Sequence, residues 1–209
     1  MNQGDTKTRI LEAAERLFAE NGIAATSLRA ITAAAGVNLA AVNYHFQSKE
    51  ALVHAVYARR LEPVNRARLE MLDAQEARAG GGSPPLEEIM DAFVAPFLRG
   101  FMGTPFTALM GRMYVEPGDF ARRFLGVHMR EVARRFGAAL RRALPGLPEE
   151  EMFWRMHFAV GALAHTLAGG KLIEILSEGR CTLKDEERIR RRMVTFLCAG
   201  LRAEPGESI

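Results

Sequence analysis

The stretch Asn38-Leu39-Ala40-Ala41-Val42-Asn43-Tyr44 places two carboxamides, two small methyl side chains and a phenol close together. These are residue types that read a DNA groove. Asn43 has both donor and acceptor groups for an adenine edge, Ala40 and Ala41 allow close approach and contact with a thymine methyl, and Tyr44 can donate to a phosphate. At helical spacing Val37, Val42 and Phe46 take the inward face, leaving Asn38, Leu39, Ala40, Ala41, Asn43 and Tyr44 outside it. Thr26 and Ser27 are expected as hydroxyl caps of the preceding short helix, and Lys49 as a second phosphate contact at the start of the following one. Arg29 suits either the DNA backbone or an acid on its own domain.

Other groups point to chemistry less directly. His128, His157 and His165 fall in helical stretches without the i, i+4 spacing that puts two imidazoles on one metal ion, so they read as core or pocket histidines. Cys181 and Cys198 stand far apart with no Cys-x-x-Cys pattern, which argues against a disulfide framework and a zinc site. With no Gly-rich phosphate loop, Gly-x-Ser-x-Gly elbow or ligand cluster, neither catalysis nor a cofactor is expected. Arg112 sits in the apolar run Leu109–Val115, where a buried cation needs an anionic partner: a ligand carboxylate, or a protein acid such as Glu116. Phe97, Phe101, Met110, Met113 and Phe124 are of types more often found as plain core, though methionine also suits an adaptable apolar pocket.

The elements that must position these residues are helical throughout. Ile10, Leu11, Ala14, Leu17 and Phe18 recur at helical spacing over residues 6–21, and Asn21-Gly22 stops that helix. A short second helix follows Ser27 and breaks at Gly36, and a third runs from about Asn38 to Phe46. Ser48 can cap a fourth that extends to about Ala77 and is bent or interrupted at Pro63. Residues 78–85 have the composition of a loop. Further helices are expected over about 85–102, 105–115, 118–143, 149–177 and 185–202, with proline and glycine at the breaks. No segment alternates with strand period, so the fold class is all-α. Two short helices about a glycine turn, with a supporting helix before them, form a helix-turn-helix whose second helix enters the major groove.

The chain has 209 residues, 48% of them hydrophobic, and a formal net charge of +3. That supports a real core and permits a nucleic-acid partner without requiring one. No apolar run reaches the roughly 18 residues a membrane span needs, and the first residues lack the pattern of a signal peptide, so a cytoplasmic location is expected.

In five segments the sequence resembles the TetR-type repressors: Ile10-Leu11-x-Ala13-Ala14-x-x-Leu17-Phe18, Asn21-Gly22, Thr26-Ser27-Leu28-Arg29-x-Ile31, Ala35-Gly36-Val37 and Tyr44-His45-Phe46-x-Ser48-Lys49. Thr32 and Leu39 depart from the residues common there, alanine and lysine respectively. A narrower resemblance, to the fatty-acid-responsive PsrA-type branch, rests on residues 38–46, on Phe153-Trp154-Arg155-x-His157-Phe158 and on Phe196-Leu197-x-Ala199-Gly200-Leu201-Arg202-Ala203. It fades between about 100 and 145.

The resemblance implies a DNA-binding domain over residues 1–50 and a ligand-binding and dimerisation domain over 51–209. It brings His45 into the DNA-binding set and Phe158 into the ligand set, and it places the end of the helix after Thr26 and Ser27 near a phosphate. The last two long helices would pair with their copies in a homodimer, Gly161, Ala164, Ala168 and Gly169 allowing close approach. The expected function is repression at operator DNA, released by a small apolar ligand such as a long-chain fatty acid or acyl-CoA, with Arg112 and His128 as carboxylate anchors. An aromatic or drug-like ligand, or a protein partner, is the alternative.

Overall fold

The computed structural model describes residues 3–115, 124 and 126–204, with the side chains of residues 3 and 112–115 outside that description. The described residues form α1 (Gln3–Asn21), α2 (Leu28–Ala35), α3 (Leu39–Phe46), α4 (Lys49–Arg78), α5 (Leu86–Phe101), α6 (Phe106–Val115), α7 (Arg130–Ala143), α8 (Glu149–Ala168), α9 (Gly170–Leu176) and α10 (Glu186–Arg202). The fold is all-α, as its 3.6-residue periodicity requires.

Two compact units arise: residues 1–63 with 103–128, and residues 64–102 with 129–209. The first has α1, α2, α3 and α6 around the start of α4. Ile10, Ala14, Phe18, Ile31, Val42, Phe46 and Leu52 are its buried apolar centre. Glu15 is buried among them and is matched by Arg60, whose Nε and Nη2 both reach its carboxylate at 2.8 Å. That bidentate pairing satisfies an acid that burial would otherwise penalise. Tyr57 donates to the Leu109 carbonyl at 3.0 Å, fixing α6 to α4.

In the second unit α5 is buried along most of its length, against α10, α7 and α8. Arg68 is only 2% exposed there. Its Nε donates to the Phe93 carbonyl at 2.8 Å, and its guanidinium lies over the rings of Phe93 and Phe97 at 4.1 and 4.8 Å. Arg155 of α8 donates to the carbonyls of Leu201 and Ala203 at 3.0 and 2.6 Å, closing the C-terminal end of α10. Those carbonyls have no partner within their own helix, and a cation meets the negative end of the helix dipole.

Three expectations need correction. The helix of 149–177 is two helices, bent by 78° where α8 gives way to α9. The corner leaves little room for side chains: a Cβ at Gly169 would lie 2.8 Å from the backbone carbonyl oxygen of His165, and one at Gly170 would lie 2.3 Å from Leu183 Cδ1 and force that side chain to move. The stretch read as one helix over 118–143 bends at Met129 before α7, residues 118–123 lying outside the described set. The arginines of α7 form ion pairs, Arg135 with Asp73 and Glu76, Arg142 with Glu76, Arg141 with Glu149 and Arg134 with Glu131. Pro63 does not interrupt α4, which is continuous through it. No single described helix is long and apolar enough to cross a membrane; the bent α8–α9 pair reaches that threshold only in sum.

Candidate nucleic-acid interface

The turn between α2 and α3 is closed from three directions. Ser27, extended at φ −87° and ψ 154°, accepts from the Ala30 amide and so satisfies a donor at the start of α2. At the other end Gly36 is left-handed, at φ 60° and ψ 41°. The amides of Gly36 and Val37 then donate back to Ala33 and Thr32, the paired bonds of a Schellman ending. Arg9 of α1 reaches across to donate to the carbonyls of Ala35 at 2.6 Å and Gly36 at 3.1 Å. No local sequence pattern marks Arg9 for this task, because its partners lie 26 and 27 residues away.

Asn38 caps α3, its Oδ1 accepting from the Ala41 amide at 2.9 Å. Val42 and Phe46 point into the core while Leu39, Ala40, Asn43 and Tyr44 face outward, Tyr44 at 71% exposure. The His45 ring meets Tyr44 edge-on at 5.1 Å between centroids, supporting the exposed phenol from its half-buried position. Gln47 ends the helix at φ 63°, a conformation costly for a residue with a Cβ, and its amide donates to Asn43. Ser48 caps α4 by accepting from the Ala51 amide.

Thr26 departs from its expected role. It is 3% exposed, and its hydroxyl donates inward to the Gly22 carbonyl at 2.7 Å, so it neither caps α2 nor presents its side chain to a phosphate. Capping falls to Ser27 alone. Lys49 is half-buried and its Nζ donates to the Ala24 carbonyl at 3.2 Å, tying the start of α4 to the loop before α2. Arg29 is exposed, and makes no ion pair among the described residues.

The residues expected around a ligand are divided between the two units. Phe97 and Phe101 are buried in the second unit, Met110 and Phe124 in the first, and the His128 side chain stacks on the Phe124 ring at 4.2 Å. Phe158 is 62% exposed on α8 in the single chain. The side chains of Arg112 and Met113 lie outside the described residues. The second unit does contain a cleft of about 280 Å³, lined by Phe93, Met129, Val132, Ala133, Phe136, Gly137, Met152, Phe153, Met156, His157 and Val160. It is walled by α5, α7 and α8, and among the described side chains Phe97, Phe101, Met110, Phe124, His128 and Phe158 are not part of its lining. The available signal is the Met and Phe content of α8, where Met152, Phe153 and Met156 fall within five residues.

Among the described residues no group of three or more His, Cys, Asp or Glu side chains is arranged to hold a metal. Burial pushes the Cys198 thiol up to about 11, with Glu87 adding to the effect, so it is a poor nucleophile.

Comparison with known proteins agrees with this geometry. Residues 10–56 match the profile of bacterial regulatory proteins of the tetR family, and residues 91–200 match the tetracyclin repressor-like C-terminal domain. The transcriptional regulator UidR of Escherichia coli K12 is 43% identical over 51 residues, 24% of this chain and 26% of that protein. AcrR of Shigella flexneri is 36% identical over 86 residues, 41% of this chain and 39% of that one. The curated relatives are thus matched over a quarter to two-fifths of their own length. Among solved structures, a transcriptional regulator from Aquifex aeolicus superposes with a TM-score of 0.64 at 19% identity, covering 92% of this chain and 98% of that one. The fatty acid degradation regulator FadR from Bacillus halodurans gives 0.65 at 14% identity, covering 98% and 100%. Since the C-terminal profile alone spans more than half of the 209 residues, the chain belongs to the TetR family of regulators.

Proposed function

We propose that this protein is a DNA-binding transcriptional repressor that acts in the cytoplasm as a homodimer. Residues 1–50 dock on operator DNA, and residues 51–209 hold the dimer together and bind the ligand that releases it. The observation that carries this reading is the outer face of α3, where Asn43 and Tyr44 stand exposed on a short helix braced at both ends. Leu39, Ala40 and Ala41 lie beside them for close approach, with Ser27, Arg29 and Lys49 at neighbouring helix starts. Dimerisation is supported by Phe153, Trp154 and Phe158 of α8 and Phe196 of α10, all exposed in the single chain. Such apolar area is a recognised mark of an interaction surface. A two-fold dimer presents two copies of α3 to successive major grooves.

The ligand we assign is a small apolar molecule, a long-chain fatty acid or its acyl-CoA, as in the PsrA-type branch. Support comes from the sequence resemblance and from the aromatic and methionine walls of the cleft, where burying each methylene is worth about 0.8 kcal/mol. Only the part of that energy that differs between two states of the dimer changes DNA affinity. One observation favours a second reading, an aromatic cation: Glu149, Glu150 and Trp154 line a shallow depression that shares Phe153 and His157 with the cleft.

Footprinting the DNA upstream of its own gene, with and without added acyl compounds, tests both halves. Protection of a pseudo-palindrome that is lost with a fatty acid or acyl-CoA is the expected result. Protection that no acyl compound alters, but a lipophilic aromatic cation relieves, establishes the second reading. The absence of any protection overturns the DNA-binding reading.

A further inference from the structure

The first unit also brings two imidazoles together. His54 lies on α4 and His128 follows Phe124, and their Nε2 atoms are 3.2 Å apart. We propose that His54 and His128 bind one divalent transition-metal ion of the kind that prefers imidazole, each through Nε2.

The spacing fits the chemistry. Two nitrogens held at about 2.0–2.1 Å from one zinc ion subtend roughly 100° when they are 3.2 Å apart, close to a tetrahedral angle. The rings are also held in place. Phe124, itself buried, stacks on His128 with centroids 4.2 Å apart and meets His54 edge-on at 5.1 Å. Glu62 stands two turns beyond His54 on the same face of α4, and its Oε1 is 3.7 Å from Nδ1 of His128. A carboxylate behind the far ring nitrogen of a ligating histidine fixes the tautomer and raises its basicity. Burial, with His54 adding to it, pushes the His128 pKa down, which favours the neutral imidazole that a metal needs. His54 is exposed, so water can complete the coordination shell. Nitrogen donors select zinc, nickel or copper over magnesium and calcium. With two protein ligands, the site is weaker than a four-ligand structural zinc site.

The competing arrangement is a plain hydrogen bond between two neutral rings, which has the same separation. Isothermal titration of the full-length protein with Zn²⁺ in a non-chelating buffer separates the two. The expected result is one Zn²⁺ per chain and no heat with Mg²⁺. Affinity falls at least tenfold in His54→Gln and in His128→Gln, and is unchanged in His157→Gln and His165→Gln. Glu62→Gln weakens binding about tenfold. His54 is exposed, so His54→Gln gives a clean answer even where His128→Gln disturbs packing. No Zn²⁺ binding, or wild-type affinity in His54→Gln, overturns the proposal.

Discussion

The α3 and α8 helices both hold aromatic side chains in solvent, but the two surfaces differ in kind. On α3 the exposed phenol of Tyr44 is flanked by Asn43 and small alanines, on a helix of eight residues capped by Asn38 and closed at Gln47. On α8, Phe153, Trp154 and Phe158 are exposed together with Phe196 of α10, with His157 between the rings and Glu149 and Glu150 at the helix start. A short, braced face with hydrogen-bonding tips suits a hydrated polyanion, because its energy comes from polar contacts made in fixed register. A broad apolar face suits a second protein surface, because its energy comes from area removed from water. Exposure alone therefore does not define a site; the chemistry beside the exposed ring does.

Breaking the α8 face has the largest expected effect. The double variant Trp154→Asp and Phe158→Asp should be monomeric in sedimentation. Its operator affinity should fall about 10²-fold or more, since linked binding of two heads is lost. A dimer with full affinity contradicts the assignment of that face. Next comes Phe46→Ala, which removes a buried ring beneath α3 and should cost about 3–5 kcal/mol in denaturant unfolding. By contrast Phe158→Ala should destabilise only the associated protein, so that its effect fades on dilution.

How far these surfaces can be read from the chain follows from the range of their interactions. The α2–α3 turn is local: Ser27, Gly36 and Asn38 act on amides and carbonyls within a few residues, so their types and spacing declare the motif. The cleft is not local. Its walls come from α5, α7 and α8, and side chains such as Phe93 and Met152 meet there only after the helices pack. Periodicity assigned helices to those stretches but not which residues would face a void. It also continued unchanged across the α8–α9 corner, where the adjacent Gly169 and Gly170 were the only local mark. Thr26 misled for a related reason: hydroxyls cap helices or bond back to carbonyls, and which occurs depends on the approach of α1.

Smaller changes sharpen the contrast. Gly36→Ala places a Cβ at φ 60° and within 2.8 Å of the Arg9 guanidinium, and should cost about 1–2 kcal/mol in thermal unfolding. Equal stability would show that the turn relaxes easily. The smallest effect is on pH dependence. The folded protein holds His128 below its ordinary value of 6.5, so protons favour the unfolded chain. Stability from this group is complete above about pH 6.5 and declines as the pH falls below it, until folded His128 is itself protonated. His128→Gln should remove that part of the decline.

The central claim is that the outer face of α3 reads DNA, and fluorescence anisotropy on the protected operator tests it most directly. Binding should weaken steeply with salt, Tyr44→Ala should lower the slope of log K against log salt by about one, and Asn43→Ala should relax discrimination at particular base pairs by about 1–3 kcal/mol. Operator binding that is unchanged in both variants, in affinity, salt slope and base preference, would contradict the account.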